Sequence, residues 1–66
     1  MITINRVAVE EAGFTWNLDG AISAHFGKGV EVVKDGVIGA PYGTVEIDGV
    51  AYDWKLKVGH YSFVPA

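Results

Sequence analysis

There is no cysteine in this chain. That excludes disulfides, thiolate metal sites and thiol nucleophiles. The absence fits a reducing compartment, and the cytoplasm is the expected setting. Basic residues are few: five Lys and Arg stand against eight Asp and Glu, for a net charge of −3. The five are scattered, so no basic surface for neutralising phosphates is expected, and nucleic acid is not an expected partner. No stretch approaches the roughly 20 apolar residues of a membrane span, and no membrane association is expected. The opening MITINRVAVEE lacks the basic region and apolar core of a signal peptide. The chain reads as an intracellular soluble protein, complete as given.

What is present is apolar. The 66 residues are 50% hydrophobic, with two Trp, three Tyr and three Phe. This length suits one small domain, 1–66, burying only about 60% of its unfolded surface. The aromatic and β-branched content argues against disorder. The apolar surplus fills either an unusually complete core or an interface.

Val45–Phe63, VEIDGVAYDWKLKVGHYSF, is the most regular stretch. Asp48-Gly49 is the preferred centre of a type I′ hairpin. It pairs Ile47 with Val50, Val45 with Tyr52 and Gly43 with Trp54. Gly59-His60 suits a type II′ turn, pairing Val58 with Tyr61 and Leu56 with Phe63. Opposed residues share a face, so Val45, Ile47, Val50, Tyr52, Trp54, Leu56 and Val58 form one apolar side. Trp54 is expected in the core, flanked by Val45, Leu56 and Phe63. The other side carries Thr44, Glu46, Ala51, Asp53, Lys55, Lys57, Ser62 and Val64, and reads as a solvated sheet face.

Upstream, VEVVKDGVIG reads as a hairpin around Lys34-Asp35-Gly36, pairing Val32 with Ile38 and Val33 with Val37. GAPYG, Gly39 to Gly43, is a loop that places Tyr42 near its tip. FTWNLDGAISAHF has two readings. One is a hairpin about Leu18-Asp19-Gly20, favoured by Phe14, Thr15 and Trp16. The other is a short helix near 20–26, capped by Asp19 and ended by Gly27. Met1 to Val9 reads as a strand with a bulge near Asn5-Arg6, where the apolar parity switches. The sum is an all-β fold of six or seven short strands, a small antiparallel barrel or compact two-sheet sandwich. With the helical reading it becomes α+β.

Motifs for chemistry are lacking. Ser23 and Ser62 lie outside any Gly-x-Ser-x-Gly elbow. His60, Ser62 and Asp53 assemble into a triad only on paper. His25 and His60 are far apart, so no metal site is expected. Gly27-Lys28-Gly29 lacks the remainder of a phosphate loop, and Glu10-Glu11 reads as a solvated turn. No catalytic residue and no cofactor are expected.

The expected function is a non-enzymatic protein-binding module, acidic and β-rich, acting as an inhibitor by occluding a surface of a larger protein partner. Its site combines an aromatic anchor, Tyr42, with nearby acids Glu31, Asp35 and Glu46. The alternative is a structural subunit of a homo-oligomer. A nucleic-acid-binding small barrel is the weaker third reading.

Overall fold

The C-terminal meander is dictated by its turns. A computed structural model describes residues 1–35 and 39–66. Asp48 and Gly49 take φ of 50° and 82°, the paired positive φ of a type I′ turn. They join β3 (Tyr42–Ile47) to β4 (Val50–Lys57). The register is the expected one, with Ile47 opposite Val50, Val45 opposite Tyr52 and Gly43 opposite Trp54.

The second turn forms one residue earlier than its sequence suggests. Lys57 faces His60, Leu56 faces Tyr61 and Trp54 faces Phe63 between β4 and β5 (His60–Pro65). The central residues are therefore Val58 and Gly59, not Gly59 and His60. Gly59 has φ of 77°, which suits the second central position of a type II turn. Each partner changes by two residues, so every side chain keeps its face. Val58 is the exception: it leaves the apolar side and is 100% exposed at the turn tip. The cause is tertiary. β1 (Ile2–Asn5) docks on β5 with Asn5 opposite His60, and the Arg6 N–H donates to the Gly59 carbonyl at 3.0 Å.

β1 is shorter than expected. The parity switch at Asn5-Arg6 is no bulge but the junction to helix α1 (Arg6–Glu11). Beyond it the apolar period changes from 2 to 3.6, which turns Val9 into the core.

Residues 14–26 take the helical reading, as α2 (Leu18–Phe26). Asp19 is not its cap. Asn17 is, accepting from the Gly20 N–H at 2.7 Å, while Asp19 lies in the first turn, where the helix dipole favours a negative charge. Gly27 closes the helix with φ of 113°. Gly20 is required by space: a Cβ there would collide with the Thr15 carbonyl oxygen. From the helix, Ile22 enters the core and Phe26 packs against it.

β2 (Val32–Asp35) pairs with β3, Val32 opposite Ile47 and Asp35 opposite Thr44. Lys34 and Asp35, expected in a hairpin loop, are strand residues here, held by pairing with β3; the expected partners Val37 and Ile38 lie outside the described residues. Tyr42, expected in a loop, is the first residue of β3.

The strands thus make one antiparallel five-stranded sheet in the order β1-β5-β4-β3-β2. Among the described residues these are five strands in one sheet, where six or seven in a barrel or sandwich were expected, and two short helices pack on the apolar face. Ile4, Val9, Ala21, Ile22, Val45, Ile47, Tyr61 and Phe63 form the buried core. Phe26 reaches from α2 to within 5.9 Å of the Phe63 ring and 5.5 Å of Tyr52. Trp16 lies 5.0 Å from Tyr61. Trp54, expected deep in the core, is only half-buried. It packs at the border, 5.8 Å from Tyr61, in the space left by side-chain-free Gly43 across the strand pair.

Candidate interaction face

The helices cover one side of the sheet, and the other side has no covering element among the described residues. Register defines what that open face presents. Lys57 and His60 lie in one row with Asn5. Tyr42, Lys55, Ser62 and Thr3 make the next. Thr44, Asp53 and Val64 follow, then Val33, Glu46 and Ala51. Tyr42 is 63% exposed, Val33 53% and Val64 45%. Ser62, with its short side chain between Thr3 and Lys55, is buried.

The charges on this face are sorted along the strands. Lys55 and Lys57 lie toward the Val58-Gly59 turn. Asp53 and Glu46 lie toward the Asp48-Gly49 turn. All four are exposed. Among the described residues none of them has an intrachain ion pair; the pairs present are Arg6–Glu10 at 3.4 Å and Lys34–Asp19 at 2.8 Å. Both of those are exposed, so each contributes only about 0–1 kcal/mol.

The expected site residues are partly gathered. Tyr42 and Glu46 share the open face, four residues and about 13 Å apart along β3. Asp35 ends β2, its backbone opposite Thr44. Glu31 is elsewhere: its N–H donates to Asp48 Oδ1 at 3.0 Å and its carbonyl accepts from the Asp48 N–H at 2.9 Å. That double bond to the β3–β4 turn commits the Glu31 backbone to holding β2 in register. Val64 lies on this face as its alternation implies, whereas Val33 was not assigned to it. The Val33 signal, a valine out of phase with its neighbours, is indistinguishable from a doubly buried strand until pairing is known.

His60, Ser62 and Asp53 all point to the open side. However, Asp53 is opposite Val64, four residues and about 13 Å from His60 along β5. That is far beyond hydrogen-bond reach of the imidazole. His25 packs edge-on against Phe26, ring centroids 5.0 Å apart. No group of three His, Asp or Glu among the described residues is placed to hold a metal. No helix among them is long and apolar enough to cross a membrane.

Among the described residues, the Tyr61 phenol on the covered side is held off its ordinary pKa. Burial, and then the Asp19 carboxylate, push the Tyr61 phenol above its ordinary 10.0. Both oppose a phenolate, the first by desolvation and the second by like charge.

Compared with protein-family models, curated proteins and solved structures, the chain matches none.

Proposed function

We propose that this chain is a non-enzymatic protein-binding module whose contact surface is the open face of its sheet. The observation that carries the reading is the exposure of Tyr42, 63%, on a regular strand beside Lys55 and Thr44, with Glu46 farther along the same face. A strand holds an aromatic ring more rigidly than a loop tip, so little side-chain freedom is lost on binding. Val33 and Val64 add exposed apolar area to the face, and Tyr is a residue type enriched at protein interfaces.

The face serves two forms of the same reading. In one it occludes the surface of a larger protein and inhibits by blocking access. In the other it joins copies of the chain into an assembly. They share the contact surface and differ in its occupant.

The test is capture of partners from the native cell on wild-type and Tyr42→Ala baits, with melting measured on both. The expected outcome is unchanged melting and binding weakened by about 1–2 kcal/mol or more, as for an interface anchor. Equal capture by two equally folded baits overturns the reading.

A further inference from the structure

We propose that the occupant of the open face is a second copy of this chain, docked face to face about a two-fold axis that crosses β4 at Trp54, perpendicular to the strands. The inference rests on the binding-face reading and names its partner. Two copies can pair through a sheet face about an axis along the strands or across them. An axis along the strands sets Lys55 against Lys55 and Asp53 against Asp53. An axis across the strands exchanges the two ends of the face. Lys55 then lies over Asp53 of the other copy, and Lys57 lies near Glu46 of the other copy. The register alone dictates this, because Asp53 and Lys55 are equidistant from Trp54 on β4 and Glu46 lies on the neighbouring strand toward the acidic end.

The rest of the face agrees. In this orientation Tyr42 lies over Thr44 of the other copy and Val64 over its Ser62, so an exposed large side chain meets a small one at each position. A two-fold contact of this kind is self-complementary, as closed dimers require. The strands of the two sheets run nearly along one line, the aligned geometry of packed sheets about 10 Å apart. Lysine and carboxylate side chains together span that gap. Five strands at about 4.8 Å spacing and about 20 Å of strand length give a flat footprint on the order of 500 Å² per copy. Side-chain relief raises the accessible area above that, toward the roughly 800 Å² per partner of a standard interface.

The experiment is sedimentation equilibrium on the full chain and on two double variants, Lys55→Glu/Lys57→Glu and Glu46→Lys/Asp53→Lys, with circular dichroism to confirm that each is folded. Wild type is expected to be a dimer at about 100 μM. Its dissociation constant should rise at least about tenfold between low and high salt, because salt screens the attraction between the two charge-sorted faces. Each double variant should be monomeric, since its face then carries one sign of charge at both ends. An equimolar mixture of the two should restore the dimer. A monomeric wild type overturns the proposal, as does a dimer whose charge variants still self-associate or fail to pair when mixed. The Tyr42→Ala capture separates the two claims: a monomeric chain that still loses a partner with Tyr42→Ala keeps its binding face and loses only the second copy as occupant.

Discussion

Phe63 and Trp54 sit opposite each other across β4 and β5, yet their environments differ. Phe63 is fully buried, with Phe26, Tyr52 and Tyr61 around its ring. Trp54 is half-buried at the border of the core. Phe63→Ala should therefore cost about 3–5 kcal/mol, comparable to the whole stability of so small a core, and leave the chain largely unfolded. Trp54 already exposes part of its surface to water, so Trp54→Ala should cost less, about 2 kcal/mol, leaving a folded protein with a lower midpoint. Urea titrations of the two variants check the order, and a reversal would place Trp54, not Phe63, at the centre of packing. Tyr61 makes a separate prediction. Its pKa is raised on folding, so the folded state holds the phenolic proton more tightly than the unfolded chain. The stability this represents is complete below about pH 10 and is lost as pH rises through the folded pKa. Tyr61→Phe should flatten that alkaline fall in the melting temperature while leaving the neutral-pH profile unchanged in shape. An alkaline limb identical in both proteins would assign the loss to other groups.

At the scale of elements, α2 shows what a cap decides. Asn17 and Asp19 are both acceptable capping types, and only the helix position distinguishes them. The Asn17 side chain takes the Gly20 N–H, whereas Asp19 reaches outward to Lys34 on β2. Asn17→Ala should cost about 1 kcal/mol. Asp19→Ala should cost less than about 0.5 kcal/mol, because its ion pair is exposed. Chemical denaturation of both variants gives the ranking directly. Elsewhere the sequence was legible where turn chemistry is strong. Asp48-Gly49 was read with its register because few dipeptides accept two positive φ values. Val58-Gly59-His60 was read one residue late because a glycine serves type II and type II′ turns at different positions. Docking of β1 on β5 settles the choice. The start of β3 was misplaced because Pro41 and two glycines around Tyr42 look like a loop, although Gly43 is there to make room for the Trp54 ring.

For the molecule as a whole, charge separates one class of partner from another. The open face holds Lys55 and Lys57, but Asp53 and Glu46 share it, and the net charge is −3. A phosphate backbone tracking along the strands would meet the acidic end within about 7 Å of the basic one. Binding to single-stranded or duplex DNA should therefore be weak or undetectable at physiological salt. Fluorescence anisotropy showing submicromolar, salt-sensitive affinity would make Lys55 and Lys57 a nucleic-acid site and remove the protein-binding reading of the face.

The amino-acid sequence by itself determined the local half of this protein. Strict alternation from Val45 to Lys57 set which side chains share a face, and Asp48-Gly49 set how β3 and β4 pair, since both depend only on neighbouring residues. The same alternation placed Glu46, Asp53, Lys55 and Lys57 on the wet side. Tertiary structure decided the rest. It chose helix over hairpin for Leu18–Phe26, where Ile22 and Phe26 cover the one-sided apolar sheet from above and Gly20 fits against the Thr15 carbonyl. It took β1 to β5 and β2 to β3, long-range pairings that no local residue pattern encodes. By doing so it widened the wet side from a three-stranded meander into a five-stranded face, and brought Val33 and Tyr42 onto one surface with Val64 and the sorted charges.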